Sequence, residues 1–340
     1  MRRAAHLALA LAVTLGLAPG TLVRTDTGLR SDPATITIAP IPIGTPPPGP
    51  LRLTGAWQIR SQHGWVGGFS ALVADGQARL ISASDRAFRL DIDISHGDPR
   101  VVPGSFRFIG RRYRGRRELL DLESLARDPA SGTLWAAYEN HNLIERFAPD
   151  GTRRSVEPPA MKDWDDNSGP ETMVRLRDGR FLVIAEGEVG DDPVYHPALL
   201  FAHDPVESGE PMGLALEGLD GFDPVDATQL PDGRVLILLR HVEYFIPARF
   251  TAAIAIADPA TIRREMPWRA RIIQHLPGSL LAENFEGITF IPAPGNPQRG
   301  TVWLIADDNL SMFQRSLLVR FDWAGQASRT NEKAPGKPDA

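Results

Sequence analysis

The chain has 340 residues, 42% of them hydrophobic, a formal net charge of −5 and a sequence pI near 5.9. That is apolar material enough for a large core or several stacked sheets, and the acidic balance argues against a nucleic-acid-binding domain. The absence of cysteine excludes disulfides, thiolate catalysis and cysteine–zinc sites.

The first residues, MRRAAHLALALAVTLGLAPG, place Arg2 and Arg3 before an apolar run that ends near Ala18. A basic start, a short apolar stretch and small residues after it are the layout of a secretory signal, so residues 1–20 are read as a signal peptide. The stretch is too short and Ala-rich for a membrane span, with an uncleaved anchor as the alternative reading. The expected location is the periplasm or the exterior, with no stable membrane span after cleavage. Residues 21–50 read as a linker, because Ile38 to Pro50 is too Pro-rich for a helix or a central strand. Residues 324–340 are polar with Gly and Pro and read as a disordered tail.

Between them, residues 51–323 carry one phrase five times. The copies are GGFSALVADGQARLISASDR from Gly67, LESLARDPASGTLWAAYEN from Leu122, PETMVRLRDGRFLVIAEGE from Pro170, VDATQLPDGRVLILLR from Val225 and FEGITFIPAPGNPQRGTVWLIADDN from Phe285. Each is a polar opening, a turn and an apolar run ending in charge. Alternation in Phe181 to Glu186, the continuous apolar run Val235 to Leu239, and Asp-Gly at 75–76, 178–179 and 232–233 all read as strands joined by hairpins. Repeats spaced by roughly 50 to 60 residues suit four-stranded propeller blades with generous loops. The expected fold is therefore all-β, a β-propeller of five blades, with a sixth that lacks the phrase left open by the loop lengths. Leu51 to Arg60 and Leu317 to Trp323 both read as strands, and pairing them would close the ring.

In a propeller the innermost strands line the centre. The aligned openings are Ser70, Glu123, Glu171, Asp226 and Glu286. A second set at the ends of the following strands comprises Asp85-Arg86, Glu139-Asn140, Glu186, Arg240 and Asp307-Asp308-Asn309. So many carboxylates in one place need compensation, and a hard cation supplies it. Ca²⁺ takes six to eight oxygen ligands in flexible geometry, whereas Mg²⁺ or Mn²⁺ would use fewer protein ligands. The candidate metal ligands are Asp85, Glu123, Glu139, Glu171, Glu186, Asp226, Glu286, Asp307 and Asp308. Glu123, Glu286 and Asp307 are the catalytic candidates; Arg86, Arg240, Asn140 and Asn309 would hold an anionic substrate. The competing reading is that such acids cap strand ends within each blade.

Other features carry less. Asp163 to Asn167 lacks EF-hand spacing and reads as a solvated acidic loop. Arg111 to Arg117 is the strongest basic cluster and reads as a solvated charge run. Gly68-Phe69-Ser70 only half matches a nucleophile elbow, so a serine triad is not expected. His63, His141 and His241 are general-base candidates without metal-ligand spacing.

At these repeats the chain resembles the phytase-like family, described by esterase-like activity. The resemblance rests on Gly68-Phe69-Ser70 with Ser84-Asp85-Arg86, on Glu123-Ser124-Leu125-Ala126, and on Phe285-Glu286-Gly287-Ile288 with Asp308-Asn309. It covers roughly residues 60 to 323 and implies an exported β-propeller related by fold to calcium-dependent phytases. Arg240 departs from an all-acidic ring, and there is no dense lysine cluster to meet many phosphates. The expected function is a monomeric, metal-assisted hydrolase of phosphate or carboxylic esters, acting on a small, anionic ester. The alternatives are a non-catalytic binding or scaffold propeller with structural calcium, and a sugar-lactone hydrolase.

Overall fold

The computed structural model describes residues 29–113, 117–165, 168–190, 194–207, 209–243, 248–311 and 313–325. The expected signal peptide, most of the expected tail, Arg114 to Arg116, Asp166 and Asn167 lie outside the described residues.

The described chain is all-β apart from short 3-10 turns. It opens with β1 (Ile36–Pro40) and β2 (Leu51–Ser61). A first sheet follows from β3 (Phe69–Asp75), β4 (Arg79–Ser84), β5 (Phe88–Asp93) and β6 (Arg100–Val101), with β7 (Arg107–Phe108) also on β5. The small hairpin β8 (Arg112–Tyr113) and β9 (Arg117–Glu118) leads to a second sheet, β10 (Leu122–Arg127), β11 (Leu134–Tyr138), β12 (Leu143–Phe147) and β13 (Arg153–Val156). Next come β14 (Thr172–Arg175), β15 (Phe181–Ile184), β16 (His196–Phe201) and β17 (Met212–Glu217), then β18 (Asp223–Gln229), β19 (Val235–Glu243), β20 (Arg249–Ala257) and β21 (Trp268–Leu276). These two meanders join edge to edge through a short parallel pairing of β17 with β21. The last sheet is β22 (Asn284–Ala293), β23 (Asn296–Asp307) and β24 (Leu317–Trp323), completed by β2 and β1.

The expected closure is present. β2 pairs antiparallel with β24, from Leu51 opposite Trp323 to Gln58 opposite Leu317. The linker expected before residue 51 is partly a strand: β1 runs antiparallel along β2. It tolerates Pro40 because it is an edge strand, where a missing amide donor breaks no ladder.

The first strands of the meanders touch in turn: β3 with β10, β10 with β14, β14 with β18, β18 with β22, and β22 with β3. The apolar clusters follow the same circuit, each filled from two neighbouring sheets. Leu122, Ala136 and Tyr138 pack with Ala71 and Ala83, while Trp135 and Ala137 pack with Phe181 and Val183. Val235, Ile237 and Leu239 face one neighbour; Leu236 and Leu238 face the other. A strand alternates its side chains, so a strand covered on both faces must be apolar at every position. The result is a closed, propeller-like ring of sheets. Inner strands approach closely at Gly287, where a Cβ would lie 2.9 Å from the Leu72 backbone nitrogen.

Four of the five inner strands carry a β-bulge at their start: between Phe69 and Ala71, Leu122 and Ser124, Pro224 and Asp226, and Phe285 and Gly287. A bulge inserts one unpaired residue and re-aims its side chain. Those residues are Ser70, Glu123, Val225 and Glu286.

Candidate functional site

The bulges and the strand ends beside them lie at one end of the inner strands. Opposite each opening stands the end of the next strand. Asp85 donates its amide to the Gly68 carbonyl (2.9 Å), Glu139 to that of Asp121 (2.9 Å) and Glu186 to that of Gly169 (3.1 Å). Arg240 pairs with Asp223 and Asp307 with Asn284 in the ladders. Equivalent places in successive sheets thus deliver Asp85, Glu139, Glu186, Arg240 and Asp307 to one region, as the second sequence set anticipates.

The carboxyl groups there are buried and feel one another. Glu123 is 8% exposed and Glu171 6%. Burial, reinforced by Glu171 and Glu286, pushes Glu123 well above the usual carboxylic range; burial and Glu186 do the same to Glu171. Burial raises Asp85 to about 7 and, with Asp121 beside it, Glu139 to about 8. Burial and then Glu286 and Asp85 raise Asp307, and burial raises Glu286 despite Arg240.

Asp121, Glu123 and Glu139 each offer an oxygen within 4.8 Å of the others, and so do Glu139, Glu171 and Glu186. Glu139 belongs to both groups. Asp121 is not among the sequence candidates. It sits one residue before β10 in a left-handed backbone conformation (φ 67°), outside the strand pattern. Its adjacency to Glu123 was the available signal.

Arg240 is the cation inside this crowd. Its guanidinium donates to Glu186 and Glu286, and Nη1 also reaches Asn284 Oδ1 at 3.2 Å. Asn284 in turn donates to Glu286 at 2.7 Å. Glu123 and Glu171 receive no hydrogen bond on their side chains from any described residue. Buried carboxylates without donors are costly unless a cation or a proton compensates them. An all-oxygen donor set with two overlapping triads suits a hard divalent ion such as Ca²⁺.

Other sequence candidates have different places. Asp226 does not join the ring. Its Oδ1 accepts from Ala227 N (2.8 Å) and Ser124 Oγ (3.3 Å), and its Oδ2 from Ile288 N (2.7 Å). The bulge explains this: the partner of Glu123 in that sheet is Val225, and Asp226 occupies the place of Ser124. Ser124 likewise ties inner strands, accepting from Met173 N at 2.9 Å. Ser70 donates to the Leu122 carbonyl at 2.5 Å, a structural bond rather than a nucleophile's.

Asp308 lies beside Asp307, with Oδ1 accepting from Gly68 N (3.2 Å) and Leu310 N (3.1 Å). Asn309 N donates to Asp307 Oδ1 (2.6 Å), while its exposed side chain turns to Gln314. Asn140 is exposed, and its amide supports Asp121. Arg86 is half-buried at the rim, its guanidinium 5.1 Å from the Trp65 ring centre and its charge lowering the pKa of Asp85. His63 packs edge-on to Phe106, His141 on Tyr113 and His241 on Phe222. From the basic cluster, Arg111 is held by Glu145 at 2.5 Å.

The model of a phytase-like family, described as esterase-like activity of phytase, matches residues 64–310. No curated protein matches the chain. Among solved structures, a nidogen/laminin complex is similar at 12% identity over 84% of this chain and 96% of that one, with a TM-score of 0.42. Virginiamycin B lyase from Staphylococcus aureus is similar at 11% identity over 85% and 99%, with a TM-score of 0.39. An α-L-arabinofuranosidase from Podospora anserina is similar at 11% identity over 74% and 91%, with a TM-score of 0.41.

Proposed function

The chain belongs to the phytase-like family, whose described activity is esterase-like, and from that premise we propose an exported ester hydrolase working at the carboxylate ring of a five-bladed propeller. One circuit of five inner-strand contacts and five two-sheet cores support that blade number. The substrate class is a small, anionic phosphate or carboxylic ester, and the chain acts as a monomer in the periplasm or outside the cell.

The observation that carries this reading is the pair Glu123 and Glu171, buried, adjacent and without donors. Asp121, Glu123, Glu139, Glu171 and Glu186 would hold Ca²⁺, with Asp85 close by. Bound there, the ion would polarise an ester oxygen and acidify water. The protein's own groups do the rest. Arg86, at the rim and steadied on Trp65, would orient the anionic part of the substrate. Burial, then Glu286 and Asp85, push Asp307 well above the usual carboxylate range and so favour its protonated form, and Oδ1 already accepts from Asn309 N. Oδ2 is then the oxygen that can deliver the proton to a leaving alkoxide. Arg240, locked between Glu186 and Glu286, positions those carboxylates rather than the substrate.

The test strips metal from the pure protein, reloads it with Ca²⁺ and assays a panel of phosphate and acyl esters. Calcium-dependent turnover lost in Glu123→Gln is the expected result. The locked Arg240 favours one rival, a non-catalytic scaffold whose acids are structural. Calcium-dependent melting with no turnover on any ester would select it, and turnover of lactones alone would select a lactone hydrolase.

A further inference from the structure

Beside the ring lies a group of different chemistry. Glu188, His196 and Asp223 each offer one ligand atom, all within 4.8 Å of one another. Two of them are brought together by a hairpin. Val189 and Tyr195 exchange both backbone hydrogen bonds, at 2.7 and 3.0 Å, which sets Glu188 and His196 across from each other on its stem. Asp223 arrives from the next sheet as the first residue of β18, opposite Arg240.

His196 is the informative member. It is 1% exposed, yet it lies at the start of β16 among carboxylates rather than in an apolar cluster. Its Nδ1 is 2.9 Å from the Glu186 carbonyl oxygen. A carbonyl only accepts, so Nδ1 carries the hydrogen and Nε2 presents a lone pair. The Ala185 carbonyl also lies close to the ring. A backbone carbonyl that fixes the tautomer and aims the other nitrogen is the usual support of a metal-ligating histidine.

We propose that Glu188, His196 and Asp223 form a second metal site, selective for a borderline ion of the zinc type. One imidazole nitrogen with two carboxylates is a ligand set that zinc accepts, and three protein ligands leave a coordination position open. The oxygen-only ring next to it suits calcium instead. Glu186 connects the two sites, its carboxylate in the ring and its carbonyl on His196. This site does not depend on the chain being an esterase.

The test titrates the full-length protein with Co²⁺ in saturating Ca²⁺, following visible absorption and X-ray absorption for nitrogen ligation. One equivalent with a nitrogen ligand, displaced by Zn²⁺, is expected. His196→Ala should weaken it by about 100-fold or more, and Glu188→Gln by about 10- to 100-fold. Glu188 is exposed, so its variant keeps the fold and decides the matter if His196→Ala does not fold. Failure of the wild type to take up Co²⁺, uptake with oxygen ligands alone, or unchanged affinity in Glu188→Gln would each overturn the site.

Discussion

Glu139 and Asp121 face each other twice: the Glu139 amide donates to the Asp121 carbonyl at 2.9 Å, and their carboxyl groups lie within hydrogen-bonding reach. Two carboxylates in that position share a proton or a cation. A metal held by this pair would therefore compete with the proton.

Without metal, this should appear as pH-dependent stability. Burial raises Asp85 from 3.8 to about 7 and Glu139 from 4.5 to about 8 in the folded chain. Between the unfolded and folded values the native state holds protons that the unfolded chain has released. Unfolding then loses protons, so stability falls as pH rises through roughly 4 to 8. Calorimetry of the metal-free protein should show a Tm that drops across this window. Calcium should raise Tm more at pH 8 than at pH 5; an equal rise at both would count against metal binding by these groups.

Arg240→Met should cost about 3–5 kcal/mol in metal-free protein, because Glu186 and Glu286 are left buried without their cation. Saturating calcium should recover part of the loss. Urea unfolding with and without calcium measures both.

Glu123→Gln and Asp226→Asn separate the ring from the scaffold. Glu123→Gln replaces a carboxyl whose ionisation burial and its acidic neighbours oppose, so it should weaken calcium binding while leaving metal-free stability equal or higher. Asp226→Asn turns an acceptor toward backbone amides into a donor and should cost about 1–3 kcal/mol with calcium affinity little changed. Calcium calorimetry beside denaturant melts distinguishes them, and the opposite pattern would put Asp226 in the ring.

Gly68→Ala should damage the site more than the fold. Gly68 has φ +65°, and a Cβ there would sit 2.3 Å from Asp85 Oδ1. The strain alone should exceed about 1 kcal/mol. Displacement of Asp85 should also lower calcium affinity, read by calorimetry at a temperature where the variant remains folded.

Much of this architecture was legible because strand alternation and hairpin turns are local. Val235 to Leu239 announced a strand covered on both faces, and the pairing of Leu51 to Arg60 with Leu317 to Trp323 followed from the need to cover an edge. The second set, from Asp85 to Asp307, was legible because strand ends fall at equivalent places. The first set slipped by one residue at Asp226, because a bulge is one unpaired residue and leaves no mark in a repeat alignment. Asp121 was hidden in a turn with positive φ, and His196 joins Glu188 and Asp223 only through a hairpin bridge and a neighbouring sheet.

The pairing of β2 with β24 also dictates when the site can exist. β24 completes the sheet that β2 begins, and the buried acids that act on one another run from Asp85 beside the first meander to Glu286 and Asp307 in the last sheet. Early meanders alone bring together Asp121, Glu123, Glu139, Glu171 and Glu186, and Glu286 and Asp307 join them only with the last sheet. Contacts of such long sequence separation form slowly, so the charge crowding is completed late.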